Sequence, residues 1–477
     1  VTRSISRGQE LALLAALKLA AAGALLATGF QGISDDDFAR VVIAQELVHA
    51  PKLDPSGTSW LPFPFWVTGA VMAVLGATLA VAKLVAVALG VASVLAIRVA
   101  AEWLTRDRAS AFAGAALCAV IPWSVRLGVS PVPELPAAAC AFVALASLAP
   151  GASERQRLWG GGALLAATLS RYEPWFVALG FTAVLALNSL RERRVPPLRA
   201  VAVLVALAGP VAWSVWNHHA HGYALHYLDR VAAYRQAVDQ GELAGRAFDY
   251  VFAVFRAEPE LLLVAAYLFV RERLGPKGTS PLARFATPAA VLAFVFVTLT
   301  ASSVKGGAPT HHAERALLVV HLTIAVATGA LLVHAIRHQI LGRPMVLLPI
   351  VAVLIPGLYI LRSWFLYKET FAKRADEVAI GAEVARVVPA DERVLVEVID
   401  YGFYAIEAGS ARPWSFVLSD KVQPGKVAPP GKLEALAARA RSEGIRHVVA
   451  SSGVEAGGLT KLSCRGWWCV YTLEGAR

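Results

Sequence analysis

The stretch Gln31–Pro62, QGISDDDFARVVIAQELVHAPKLDPSGTSWLP, follows an apolar run from Leu11 to Thr28 and carries three adjacent carboxylates, Asp35, Asp36 and Asp37. If the run before it crosses a bilayer, the carboxylates stand at a membrane surface; if the run is a cleaved signal, they open a secreted protein. The first reading is preferred. No small-residue cleavage site stands before the acidic stretch, and further apolar runs of about the ~20 residues needed to cross hydrocarbon recur downstream. Of the 477 residues, 57% are hydrophobic and only 17% charged, with a mean hydropathy of +0.57. That composition excludes a soluble globular domain of this length.

The formal net charge is +11. Nucleic acid is not the partner it implies, because the basic residues sit in short loops between apolar runs, as the positive-inside rule requires. Arg3 and Arg7 precede the first run. Later basic loops hold Arg106 and Arg108; Arg155 and Arg157; Arg191, Arg193, Arg194 and Arg199; Arg271, Arg273, Lys277 and Arg284; and Arg337 and Arg343. Placing all of them in the cytoplasm predicts an integral protein of the inner or plasma membrane with a cytoplasmic N-terminus.

Parity then requires that 61–79 not cross. Its opening, WLPFPFW, has two prolines and two tryptophans, which suits an interfacial or re-entrant segment. The remaining crossings are 9–29, 81–101, 110–126, 134–149, 158–170, 173–189, 200–216, 259–271, 285–302, 314–335 and 344–362, about eleven in all. The predicted fold class is a polytopic α-helical membrane protein, residues 1–362, with an acidic external loop 31–60 and a small extracytoplasmic (periplasmic) α/β domain, 363–477. In that tail, 391–400, 445–453 and 467–475 read as strands and 431–444 as an amphipathic helix closed by Gly444. YKETFAKRADEVA, 367–379, looks helical. Loop 217–257 is expected on the outer face. No internal repeat is visible.

Cys118 and Cys140 lie in apolar runs and read as core. Cys464 and Cys469 lie in the tail, where either a disulfide or two free thiols fits; no second ligand pair follows to make a zinc site.

The aspartates admit a bland reading, a solvated cap at a helix end. Against it, three adjacent like charges repel unless cations or donors are near, and Phe38, Val41, Val42 and Leu47 have the helical spacing to lie on the membrane and hold the cluster on a fixed shelf. The same threading brings Lys83, Arg126, Glu134, Arg171, Glu173 and Arg315 to the outer face. A carboxylate that takes a proton from a hydroxyl, with cations that neutralise a departing phosphate, is the equipment of a transfer reaction. Two histidine groups, His218, His219 and His221, and His311 and His312, leave a divalent metal open, although helix-end residues of this kind are more often interfacial.

These residues resemble GT-C glycosyltransferases, in particular the bacterial branch around protein O-mannosyltransferases and aminoarabinose transferases. DDFARVVIAQEL, 36–47, matches the acidic pair and short amphipathic helix; LPFPFW, 61–66, matches the Pro- and Trp-rich segment with its prolines split; Lys83 stands where arginine is usual; SPVPELP supplies Glu134 before the fourth span; and TLSRYEPW resembles the basic hinge. The resemblance covers about 1–360 and leaves the tail unmatched. It implies an inverting hexosyl- or pentosyltransferase that uses a polyprenyl-phosphate sugar as substrate, with a protein, lipid or glycan acceptor. Asp36 would be the base, with Asp35 as the alternative one residue away. Asp35 and Asp37 would position the acceptor or tune Asp36. Lys83, Arg171 and Arg315 would hold the donor phosphate, and Glu134, Tyr172 and Glu173 would position substrate. No cofactor is firmly implied. The competing class, a secondary transporter of an anionic or lipid-linked solute, calls for charges near the midplane and paired broken helices; here the charges fall at span ends.

Overall fold

The computed structural model describes residues 6–237, 243–274, 280–305, 313–338, 373–421, 427, 431–451 and 458–473. The expected span 344–362, the pair His311 and His312, Lys277, Arg343 and residues 367–372 lie outside them.

The N-terminal part is helical: α1 (Arg7–Ala27), α2 (Asp35–His49), α3 (Phe63–Leu75), α4 (Leu79–Thr105), α5 (Arg108–Val120), α6 (Pro122–Leu127), α7 (Glu134–Ala146), α8 (Glu154–Thr168), α9 (Glu173–Glu192), α10 (Pro197–His221), α11 (His226–Ala237), α12 (Leu243–Ala257), α13 (Pro259–Leu274), α14 (Ala286–Val304), α15 (Ala313–Ala316) and α16 (Leu318–Arg337). Six of the described helical segments are long and apolar enough to cross a membrane. Local chemistry sets their ends. Ser6 with Gln9, and Ser153 with Gln156, form capping boxes that open α1 and α8. Asp107 caps α5, and Gly222, at φ 74°, closes α10. Between α5 and α16 small residues bring backbones together: Gly114 lies against the Cα of Val326, and Gly329 lies against Gly114, so a Cβ at either glycine meets backbone.

The basic loops gather at one end of the bundle. Glu10 accepts from Arg98 at 2.6 Å and Arg108 at 2.8 Å, and Glu102 accepts from Arg7 and Arg98. Arg199 pairs with Glu154 at 2.7 Å and Glu192 at 3.0 Å, Arg337 pairs with Asp107 at 3.0 Å, and Arg284 donates to the carbonyls of Leu104 and Pro150. These ties connect the N-terminus with the loops after α4, α7, α9, α13 and α16, which the charge pattern grouped together. The three aspartates stand at the opposite end.

Several expectations are revised. The segment 110–126 is broken into α5 and α6 at Ile121–Pro122, where proline cannot continue the ladder. Loop 217–257 contains two helices, α11 and α12. In α12, Phe248, Phe252 and Phe255 are exposed along one side while Tyr250, Ala253 and Ala257 are buried; the sequence has the helical period there, masked by polar flanks. The α2 residues expected to lie on lipid are covered by protein: Phe38, Val41 and Val42 are buried with Met72, Ala82 and, from the tail, Ala405 and Ala408.

The tail is an α/β unit: α17 (Ala375–Val387), β1 (Val394–Val396), α18 (Phe403–Ser410), β2 (Phe416–Leu418), α19 (Leu433–Ser442), β3 (His447–Ser451), β4 (Leu459–Arg465) and β5 (Trp468–Leu473). The sheet order is β2-β1-β3-β5-β4, with β1 parallel to β2 and β3, and β5 antiparallel to β3 and β4. Alternation sends Val394, Val396, Val449 and Val470 toward α17 and α18, and Leu395, Val448 and Tyr471 toward α19. β1 is apolar throughout because both faces are covered. Cys464 and Cys469, opposite each other on β4 and β5, form a disulfide. Cys118 and Cys140 are free.

The tail is pinned to α2. Gln45 Nε2 donates to the carbonyls of Ala408 (3.0 Å) and Ala77 (3.1 Å), His49 stacks on Trp414 at 4.1 Å, and Arg374 reaches back to Asp35.

Candidate active site

Three consecutive carboxylates on a helix point about 100° apart, and the structure gives each a different environment. Asp37 points inward and is 1% exposed. Its carboxylate accepts from the backbone N–H of Ser34 (3.0 Å) and Ile33 (3.2 Å), closing the N-terminus of α2. Burial raises its pKa to about 6, while Arg315 and the two N–H donors hold the rise back. Asp35 points to the tail and takes both arms of Arg374, Nε at 2.8 Å and Nη2 at 3.0 Å. Arg374 also pairs with Asp400 (2.8 Å) and Glu377 (3.0 Å); although burial opposes it, this ring of carboxylates raises the guanidinium pKa. Asp36 alone has a half-open side chain, 49% exposed, with its Oδ2 3.9 Å from Arg315 Nη1.

Arg315, on the short α15, is 5% exposed. It donates to Ser34 Oγ at 2.9 Å, and its Nη1 lies 3.6 Å from Glu134 Oε1. The same Glu134 oxygen accepts from Arg171 Nη1 at 2.6 Å. Arg171 is a fork on Glu173: Nε donates to Oε2 at 2.9 Å and Nη2 to Oε1. Burial works against the Arg171 charge, yet Glu173 and Glu134 prevail and raise its pKa. Glu134, Arg171, Glu173 and Arg315 line a cleft whose other walls are apolar, among them Ala137, Val177 and Val319. The fixed charges of three distant segments thus meet beside Asp36.

Of the other residues singled out by sequence, Lys83 donates to Gln31 Oε1 at 2.9 Å, at the mouth of the acidic loop. Arg126 is buried on α6 near Trp123. Tyr172 belongs to a neighbouring aromatic cluster: its hydroxyl donates to Ser59 O (2.7 Å) and accepts from Trp213 Nε1 (3.1 Å), and its ring stacks on Tyr227 at 4.5 Å. His218, His219 and His221 end α10, and no group of three or more metal-ligating side chains occurs among the described residues.

Sequence reasoning missed three charged groups near or beneath this site. Arg40 is buried beside Trp60. Arg374 comes from the unmatched tail. Lys18 is buried in the middle of α1, where it donates to Ser124 O (2.6 Å) and Ser124 Oγ (3.0 Å). Lys18 was visible as a lone cation in an apolar run; Arg40 and Arg374 carried no such signal.

No protein-family model and no curated protein matches the sequence. Solved structures do. The chain is similar to ArnT from Cupriavidus metallidurans bound to undecaprenyl phosphate, at 16% identity and TM-score 0.65, over 99% of both chains. It is similar to the same protein in the apo state, at 15% identity and TM-score 0.63, over 96% of this chain and 97% of that one. It is also similar to the archaeal oligosaccharyltransferase AglB from Archaeoglobus fulgidus, in complex with an inhibitory peptide and a dolichol-phosphate, at 12% identity and TM-score 0.52, over 92% of this chain and 69% of that one. The alignment with ArnT runs through the tail as well as the helical bundle, so the whole chain, and not only the part that carries the sequence resemblance, shares the fold of that structure.

Proposed function

We propose that this protein is an inverting glycosyltransferase that moves a sugar from a polyprenyl-phosphate donor to an acceptor hydroxyl at the outer face of the membrane. The observation that carries the reading is the convergence of half-open Asp36 with Arg315 and Arg171. The fold supports it, since the similar ArnT structure holds undecaprenyl phosphate and the AglB structure a dolichol-phosphate.

Asp36 takes the proton of the acceptor hydroxyl as its oxygen attacks the anomeric carbon. The bond between that carbon and the phosphate oxygen breaks, and its electron pair leaves on polyprenyl phosphate. Arg171 and Arg315 neutralise the growing charge, and Lys83, held by Gln31 at the acidic loop, adds a point charge. A single in-line displacement inverts the anomeric centre. Glu134, between the two guanidinium groups, holds them apart and aimed; Glu173 fixes the fork of Arg171; Tyr172 braces the wall. Asp35 and Asp37 support Asp36 by anchoring α2 at both sides. The sugar is a hexose or pentose, and the acceptor a protein, lipid or glycan. The bundle 1–362 is the catalytic domain in the inner or plasma membrane, with the N-terminus cytoplasmic and the tail 363–477 periplasmic.

The test is release of free polyprenyl phosphate from synthetic hexosyl- and pentosyl-phosphate polyprenols by the purified full chain. Arg171→Gln and Arg315→Gln should each slow release by about 10²–10³-fold, as loss of one charge-stabilising donor does. No binding of undecaprenyl phosphate by the folded protein would overturn the proposal.

A further inference from the structure

α12, Leu243–Ala257, has two sides of opposite character. At about 100° per residue, Phe248, Phe252 and Phe255 fall within about 60° of one another, and all three are exposed, at 54%, 62% and 62%. Tyr250, Ala253 and Ala257 are buried on the other side. Three ties hold the helix in place. Arg256 Nε donates to Glu314 Oε1 of α15 at 2.7 Å. The carbonyl of Val254 lies 3.1 Å from His321 Nε2 of α16. Glu258, just past the helix, accepts from the N–H of Trp123 at 2.8 Å. The phenylalanines are therefore set on a fixed element, and three of them in one stripe make a surface that water does not favour.

What covers that surface follows from its neighbours. α12 packs on α14, part of a segment long and apolar enough to cross a membrane, and runs on into α13. Those helices expose apolar residues too, Leu263 and Tyr267 on α13 and Phe294 and Val297 on α14. The stripe thus extends the surface that the bundle turns to lipid. α12 is not itself one of the crossing segments. It is tied to α15, whose Arg315 stands beside Asp36, so it belongs to the aspartate end of the bundle. Asp249 and Arg256 follow Phe248 and Phe255 and put charge along the edge of the stripe. A helix with phenylalanines on one side and charge beside them lies in the boundary between headgroups and acyl chains.

We propose that the Phe248–Phe252–Phe255 face of α12 is seated in bulk phospholipid, in the leaflet at the aspartate end, and that Arg256 and Glu314 pass this seat on to Arg315. Glu314 is buried and precedes Arg315 on α15, and Arg256 occupies its carboxylate. Without Arg256, that carboxylate would compete for the guanidinium beside it. The lipid seat does not depend on the glycosyl-transfer reading; the link to Arg315 rests on it, because there Arg315 holds the donor phosphate.

The experiment reads depth first. In the full chain, with the free cysteines Cys118 and Cys140 replaced by alanine, a nitroxide is placed by Phe252→Cys. Glu434→Cys, on the exposed side of α19, gives an aqueous reference. In liposomes of phosphatidylethanolamine and phosphatidylglycerol, the label at 252 should collide with dissolved oxygen and be shielded from a water-soluble nickel chelate, the reverse of the label at 434. A label at 252 as open to nickel as the reference overturns the seat. Dipolar broadening between two labels at 252 overturns it as well, because a second copy would then cover the face. The link is read by undecaprenyl phosphate binding in nanodiscs of the same lipids. Arg256→Gln should weaken it about tenfold, the size of one charge-assisted hydrogen bond, with the label at 252 still in lipid. Unchanged binding overturns the link and leaves the seat. If wild type binds no undecaprenyl phosphate, the transfer reading and the link fall together, and the depth measurement alone decides the seat.

Discussion

Replacing the three adjacent aspartates one at a time separates three jobs. The Asp36 side chain is 49% exposed and 3.9 Å from Arg315. An ion pair that open contributes about 0–1 kcal/mol, so Asp36→Asn should leave the thermal midpoint within about 2 °C of wild type. It removes the proton acceptor, and loss of a positioned base slows a reaction by about 10²–10⁴-fold, or roughly 3–5 kcal/mol of barrier. Asp37→Ala has the opposite signature. It leaves the N–H groups of Ile33 and Ser34 unpaired under the shelf, at about 1–3 kcal/mol each before relaxation, so the midpoint falls first and activity falls with it. Asp35→Asn cuts the fork from Arg374 and should loosen the tail. The assay is single-turnover release of polyprenyl phosphate, with a melting curve for every variant. An Asp36→Asn protein that transfers at more than about a third of the wild-type rate refutes the base assignment. So does an Asp35→Asn protein that melts normally and is dead.

Other consequences are as open to measurement. Arg374→Met leaves Asp35, Asp400 and Glu377 facing each other without their cation; the cost should be about 3 kcal/mol, the lower end for breaking a buried pair because Asp35 and Asp400 are partly wet, and limited proteolysis should release the tail, whereas an unchanged digest would count against the clamp. Glu407 is buried against α2, and burial, with Glu46 beside it, raises its pKa to about 8 from an ordinary 4.5. A raised carboxyl is best tolerated while protonated, so its penalty is absent below pH 4.5, grows as pH rises, and is complete above about 8; melting between pH 5 and 9 should show falling stability that Glu407→Gln flattens, and a flat wild-type curve would remove the effect. With the threading proposed, a cysteine placed at 107 should label only from the cytoplasmic side and one at 420 only from outside. Cys464 and Cys469, bonded in the tail sheet, should resist thiol reagents until reduced, and ready labelling beforehand would contradict the bond.

The parts of the fold legible in sequence are those set by one-dimensional rules. Apolar run length marked the six described segments long and apolar enough to cross, and the arginine-rich loops identified one end of the bundle, where Arg108, Arg199 and Arg337 are now seen tied to carboxylates. The same alternation carried Glu134, Arg171 and Arg315 to the aspartates. What sequence could not supply is which side of α2 faces what. Its apolar residues read as a membrane-facing stripe, but the covering surface is the tail, some 360 residues away, through Ala405 and Ala408. Arg40 was hidden for the same reason: a cation on a helix reads as a wet face until both faces turn out to be covered. β4, LTKLSCR, escaped because it is a largely exposed edge strand with two basic residues. β2 escaped because three residues are too few for a period to register. Tyr172, grouped by sequence with Glu134 and Glu173, meets Trp213 in an aromatic cluster, while Arg171 and Glu173 on either side of it line the cleft.

The fork from Arg374 onto Asp35 has an implication for how this architecture can be re-engineered. Asp35 and the proposed base are consecutive residues on one rigid turn, so whatever holds the first also sets the aim of the second. A tail grafted from another protein would have to supply a guanidinium at the same spot, or else leave the reactive carboxylate swinging. Chimeras that exchange the tail should therefore work only when the loop 31–60 travels with it.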